Sequence, residues 1–247
     1  MKSRLKNTVF YLLPLLFCSS LLQAQSLYDS KYEIGINAGT LIYQGDLTPS
    51  DVGSFKTPGL VVGLYGSRRL GNKFAVRLDL SFGKLRGDDS LYKQPDWRQE
   101  RAFKFKTPAT EVAALLVWNA LGTDRKFSPY LFAGIGYTFL NIKRDYSRFN
   151  YDYFADQGLG EYLQRDIEHE LPRSEFMVPM GVGVRYALSD KWGLHLESAY
   201  RHISTDYLDG FSQAGNPKRD DAYFKFSAGV SYQIGSKDPL DCPRVGF

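Results

Sequence analysis

From Phe74 to Lys84 the chain reads FAVRLDLSFGK, in which Phe74, Val76, Leu78, Leu80 and Phe82 alternate with Ala75, Arg77, Asp79, Ser81 and Gly83. A period of two is that of a β-strand with one apolar and one polar face. The pattern returns at 176–188, where Phe176, Val178, Met180, Val182, Val184, Tyr186 and Leu188 oppose Gly181, Gly183 and Arg185. It returns again after Lys191, with Trp192, Leu194, Leu196, Ser198 and Tyr200 against Gly193, His195, Glu197 and Arg201. At 222–235, Phe224, Phe226, Ala228, Val230, Tyr232 and Ile234 oppose Lys225, Ser227, Gly229, Ser231 and Gln233. Weaker alternation marks 32–42, 58–69, 109–119 and 129–142, so the pattern predicts eight strands.

The connections alternate too. Those at 70–73, 120–128 and 189–191 are short and carry the Gly, Asn, Asp and Ser that turns need, whereas 43–57, 87–108, 143–175 and 203–221 are long and polar. Short turns at one end, long loops at the other and an even strand number predict an all-β fold: an eight-stranded antiparallel up-and-down transmembrane β-barrel of the outer-membrane type, with a filled polar lumen. A soluble sandwich or lipocalin would use the same alternation with the faces exchanged. The strand lengths, the small residues on the ionisable face (Gly181, Gly183, Gly193, Gly229) and the aromatics near strand ends (Trp118, Tyr130, Trp192, Tyr200, Tyr232) favour the membrane barrel. The predicted lumen network is Arg77, Asp79, Glu111, Arg185, His195, Glu197, Arg201 and Lys225. It holds charges of both signs, so it reads as a plug rather than an ion pathway. In the long loop 143–175, Leu163, Ile167 and Leu171 recur at helical spacing and predict a short helix capping the mouth.

The N-terminus places Lys2, Arg4 and Lys6 before the short apolar run TVFYLLPLLF and a small-residue site ending at Ala24. This predicts a signal peptide at 1–24, a barrel at 25–235 and a periplasmic tail at 236–247. Phe17 before Cys18 argues against lipid attachment, which needs a small residue there. Removing residues 1–24 takes three basic and no acidic side chains from a formal charge of +4 and leaves +1, with no basic block, so no nucleic-acid partner is expected. Cys242 is then the single thiol, available for an intermolecular disulfide or inert. The tail SKDPLDCPRVGF carries Pro239 and Pro243, which do not extend a sheet easily.

Little in the sequence points to chemistry. His169 lies between Glu168 and Glu170, but adjacent residues of an extended chain diverge, so a solvated loop is the simpler reading and no metal or cofactor is expected. The GIGY at 134–137 precedes no helix and reads as strand glycines. His202 and Ser204 fall on the outward side near the rim and resemble the His-x-Ser pair of outer-membrane lipid A deacylases. That resemblance implies Ser204 as nucleophile and His202 as its base, with Asp206 a weak orienting acid. The rest of the chain does not follow that family.

The opening YEIGINAGTLIYQGDL (Tyr32–Leu47) and the later AYRHISTDYLDG (Ala199–Gly210) resemble the PorG-like outer-membrane proteins of the type IX secretion system. A wider set of eight-stranded barrels shares both patterns. The resemblance implies a non-enzymatic barrel in the outer membrane of a diderm bacterium, both chain ends periplasmic. It would bind a periplasmic ring lipoprotein and its partner and be surrounded by outer-membrane lipid. Asp206, Tyr207, Leu208 and Asp209 would form an ordered loop, and Cys242 with its tail would lie where the ring docks. An esterase using His202 and Ser204, or a small passive channel, are the rival expectations.

Overall fold

The computed structural model describes residues 31–50, 53–123, 125–216 and 221–235. The expected signal peptide, the tail and Cys242 lie outside the described residues.

The described residues form β1 (Tyr32–Gln44), β2 (Gly59–Arg69), β3 (Phe74–Asp88), α1 (Trp97–Arg101), β4 (Lys104–Asn119), β5 (Phe127–Leu140), β6 (Lys143–Asp145), α2 (Leu159–Glu168), β7 (Ser174–Ala187), β8 (Trp192–Ile203) and β9 (Ala222–Ile234). A 3-10 turn at Asp89–Leu91 precedes α1. The sheet runs β3-β2-β1-β9-β8-β7-β5-β4, and β3 also pairs with β4, which closes it into an antiparallel barrel of eight strands. The ninth strand, β6, adds only to the far end of β4, from Lys104↔Asp145 to Lys106↔Lys143.

The alternation translates directly into facing. Leu78, Leu60, Ile36 and Leu196 point outward with 63%, 78%, 62% and 59% of their surface open, while Arg77, Asp79, Glu197 and Arg201 are buried inside. An apolar belt on the outer wall of the barrel is what lipid demands. Each such side chain gains about 1.5–3 kcal/mol on leaving water for hydrocarbon. Trp118, Trp192 and Tyr232 stand outward near the short-turn end, the last two in edge contact at 5.0 Å. Tyr200 is outward near the other end, packed on Phe224 at 5.2 Å. Tyr130 corrects the girdle expectation. It shares the inward parity of Ser128 and Phe132 on β5 and is 7% exposed, because its hydroxyl has a carboxylate to satisfy inside.

Two further departures concern extents. β3 runs to Asp88 and β4 begins at Lys104, so their ladder continues well past the ends at 84 and 109 that the apolar pattern marks. The outward residues there are Lys84, Arg86, Lys104 and Lys106, so the apolar signal stops where the backbone ladder does not. The expected helix appears as α2, with Leu163 buried and Ile167 half-buried on it, but it ends at Glu168 and leaves Leu171 outside. Neither α1 nor β6 was expected from the pattern.

Candidate functional site

The interior carries successive clusters of paired polar groups between the two ends, with unpartnered polar atoms between them, including both ring nitrogens of His195. Nearest the short turns, Arg185 Nη1 donates to Glu33 Oε2 at 3.1 Å, and the Tyr65 hydroxyl donates to Glu33 Oε1 at 3.0 Å. Further in, Arg77 pairs with Glu197 and, through Nε at 2.9 Å, with Asp79, and its guanidinium lies over the Tyr65 and Phe132 rings at 4.9 and 5.0 Å. Tyr130 donates to Glu197 at 2.6 Å. Toward the long loops, Arg201 Nε and the Tyr223 hydroxyl both donate to Glu111, at 3.0 and 2.8 Å, and Lys225 Nζ donates to Ser81 Oγ at 2.6 Å. All eight residues singled out from the sequence are therefore buried together, His195 among them.

Burying charge in a narrow interior is costly unless it is paired and hydrogen-bonded, and Arg77, Arg185 and Arg201 each have a carboxylate, while the Lys225 ammonium is held by the Ser81 hydroxyl alone. Space is tight enough that side chains must be deleted elsewhere. A Cβ at Gly183 would run into the Tyr130 ring, and one at Gly229 into the His195 ring. The cavity left beside Glu33, Tyr65, Arg77, Tyr130 and His195 has a volume of about 40 Å³, room for a water or two but not for a passing solute.

Sequence reasoning missed Glu33, Tyr65, Tyr130 and Tyr223 as lumen residues. The signal was available, since all four lie on inward positions of strands that the alternation had located.

Above the barrel the long loops fold into a cap. Phe103 stacks on Phe211 at 4.2 Å and on Phe149 at 5.6 Å, and Phe149 stacks on Phe154 at 5.3 Å. Asp89 is fully buried and accepts from Arg98 at 2.7 Å and Arg101 at 2.6 Å. Arg98 and Arg101 are three residues apart on α1, the spacing that puts two side chains on one helix face. Asp166, at the end of α2, accepts from the backbone N–H groups of Ser212, Gln213 and Ala214 at 3.3, 3.0 and 2.9 Å. Arg144 on β6 donates to the carbonyls of Asp166, Ile167 and Gly210, tying α2 to the loop after β8.

The two segments that carry the family resemblance meet in this cap. The Tyr43 hydroxyl lies between Asp209 Oδ2 and Asp221 Oδ1. Leu208 and Asp209 are fully buried. Thr107 Oγ1 donates to the Leu208 carbonyl at 3.0 Å, Leu208 N donates to Asp221 Oδ2 at 3.0 Å, and Phe211 N donates to Asp209 Oδ1 at 2.8 Å. Tyr207 stacks on His169 at 4.1 Å, and its hydroxyl reaches Asp166 Oδ1 at 3.3 Å. Burial raises the Asp209 carboxyl well above the usual carboxylate range, helped by the charge of Asp46, and burial with the Asp209 charge does the same to Asp221.

His202 is outward and half-buried near the end of β8, and Ser204 is exposed just beyond the strand. No hydrogen bond joins them among the described residues. Nor do three His, Cys, Asp or Glu side chains of the described residues converge as a metal site requires.

The sequence matches the family described as "Outer membrane protein beta-barrel domain" over residues 10–233. No curated protein matches it. Among solved structures it is similar to Neisserial surface protein A, at 14% identity and a TM-score of 0.47, covering 82% of this chain and 97% of that one. It is similar also to a major outer membrane protein of Thermus thermophilus, at 12% identity and a TM-score of 0.45, covering 82% and 99%. A third, the outer membrane enzyme PagL, is 14% identical with a TM-score of 0.39, covering 82% and 99%. Likenesses of this strength say nothing of function.

Proposed function

The chain belongs to the outer membrane protein β-barrel domain family, and from that premise we propose that it is a sealed, non-enzymatic barrel that anchors a type IX secretion machine to the outer membrane by binding its periplasmic ring lipoprotein complex. The observation that carries the reading is the lumen itself. It is filled from Glu33 to Glu111 by ion pairs and hydrogen bonds, and the cap of buried loop residues around Tyr43, Leu208 and Phe211 packs over it. A filled lumen does not pass solutes, and Ser204 has no base bonded to it. What remains to work with is the rigid wall, the periplasmic rim and the tail.

The resemblance at Tyr32–Leu47 and Ala199–Gly210 supplies the identity of the partner. In this reading the short turns and both chain ends face the periplasm, and the tail with Cys242 docks the ring. The YQGDL and TDYLD segments act indirectly, by holding the cap in one arrangement.

Affinity capture of the tagged protein from gently solubilised envelopes, with and without reductant, tests this. Ring lipoproteins should be recovered by the full chain and lost when residues 236–247 are removed. Replacing Cys242 with Ser separates a disulfide from a noncovalent tail contact. A barrel that comes back alone would overturn the anchoring role.

A further inference from the structure

The outward face of β3, β4 and β6 carries a row of like charges that no acid among the described residues neutralises. Arg86 stands directly opposite Lys106, and Lys106 stands directly opposite Lys143. All three are exposed, and Lys84 adds a fourth positive charge two residues before Arg86 on the same face. Directly opposed side chains have Cβ atoms about 4.5–5.5 Å apart, and like charges so placed repel. The next row up shows the neutralised alternative. There Asp88, Lys104 and Asp145 alternate in sign, with Lys104 Nζ 3.2 Å from Asp88 Oδ2. The Asp145 carboxylate is meanwhile held by Ser147, through its N–H at 3.0 Å and its hydroxyl at 2.7 Å. Among the described residues no acid forms an ion pair with Lys84, Arg86, Lys106 or Lys143.

The row has a definite height. From Phe74 to Lys84 is about 34 Å of strand at ~3.4 Å per residue, which a tilt of about 40° reduces to roughly 26 Å, close to the apolar band of an outer-membrane barrel. Lys84 therefore marks the edge of the hydrocarbon, and Arg86, Lys106 and Lys143 sit a few ångströms beyond it, where headgroups lie. Below them Phe82 and, on β5, Phe139 offer exposed rings to acyl chains. On β8, β7 and β1 the same step past the apolar belt brings Ser204, Ser174 and Gln44 instead.

We infer that this row is a binding site for the phosphate groups of an outer-leaflet lipid, a phosphomonoester-bearing headgroup of the lipid A class. The paired negative charge of such phosphates supplies what the sheet lacks. The Arg86 guanidinium offers a two-pronged donor, and Lys84, Lys106 and Lys143 offer point charges on either side. The inference takes from the proposed function only that the long-loop end faces the outer leaflet, and ring capture plays no part in it.

The purified full chain in detergent micelles, titrated with fluorescent diphosphoryl lipid A, tests it. Heat-modifiable gel migration shows that each variant is folded. The triple variant Arg86→Gln/Lys106→Gln/Lys143→Gln should bind roughly a hundredfold more weakly, at the usual value for basic side chains beside an anionic leaflet, and the single Lys106→Gln about fivefold more weakly. Lys104→Gln, in the neutralised row, should bind as the unaltered chain does. Added salt should weaken binding. Equal affinity of the triple variant, or equal binding of lipid A stripped of its phosphates, would overturn the site. Displacement by inorganic phosphate at matched concentration would overturn the lipid as its ligand. Lost ring capture with lipid binding intact would sink the anchoring role and leave this inference standing.

Discussion

The phenolic oxygen of Tyr43 lies 2.6 Å from Asp209 Oδ2 and 2.7 Å from Asp221 Oδ1, joining the first strand to positions 166 and 178 residues away. A phenol carries one proton and can donate it to one carboxylate at a time. With both aspartates ionised, the second contact would press two lone-pair oxygens together. One of the two carboxyls therefore holds a proton, in keeping with the upward shift of both. Gly45 is required beside them, since a Cβ there would meet Asp221 Oδ1.

Tyr43→Phe removes the bridge and leaves the two carboxyls facing each other. The cap should loosen by about 1–3 kcal/mol, the cost of stranding buried polar groups. Hydrogen exchange of the backbone around Leu208–Ala214 should quicken, while exchange in β3 and β4 should hardly change.

Because the native carboxyls of Asp209 and Asp221 titrate above their unfolded value, the cap binds protons more tightly than the unfolded chain. Its stability is fully present in acid below the ordinary carboxylate range and is lost as pH rises through the raised native values, by at most ~1.4 kcal/mol per pH unit for one proton. Protection around Leu208, that is, exchange relative to the intrinsic base-catalysed rate at each pH, should therefore be greater at mildly acidic than at alkaline pH. Asp209→Asn keeps an acceptor for Phe211 N and gives Tyr43 a donor without a titrating proton. Its pH dependence should be visibly flatter, and an unchanged slope would contradict the shared-proton account.

In the lumen, Glu111 is the partner of Arg201, whereas Arg77 has both Glu197 and Asp79. Glu111→Leu should therefore cost about 3–5 kcal/mol by stranding a buried charge, and Glu197→Leu less. Urea unfolding from lipid vesicles measures both. Adding Arg201→Met to Glu111→Leu should recover most of the loss, because a well-packed apolar pair replaces a buried ion pair at little net cost.

The facing of every barrel strand was legible because two-fold alternation reports burial directly, and in a membrane barrel it reports it inverted. The same rule explains what was missed. Past Phe82 the outward positions turn from apolar to Lys84 and Arg86, so the alternation ends although the β3–β4 ladder runs on to Asp88↔Lys104. Tyr130 misled because a tyrosine suits a lipid interface and a buried carboxylate equally, and only its parity on β5 decides. The contacts among Tyr43, Asp209 and Asp221, and those of Asp89 with Arg98 and Arg101, join distant segments of irregular loop, where no periodicity records which side chains will meet.

Ser204→Ala should leave the acylation of lipid A unchanged by mass spectrometry, since Ser204 is exposed beyond β8 with no hydrogen bond to His202. A lipid A that gains an acyl chain in that strain would reinstate the esterase reading.

Whether the lumen is sealed is measured most directly by planar-bilayer recording of the purified full chain. The filled interior from Glu33 to Glu111 beneath the closed cap predicts no conductance steps above the lipid baseline. Reproducible ohmic steps from the unaltered protein would contradict it, because a lumen that passes ions is not the paired and packed one described for Arg77, Glu197, Glu111 and Arg201.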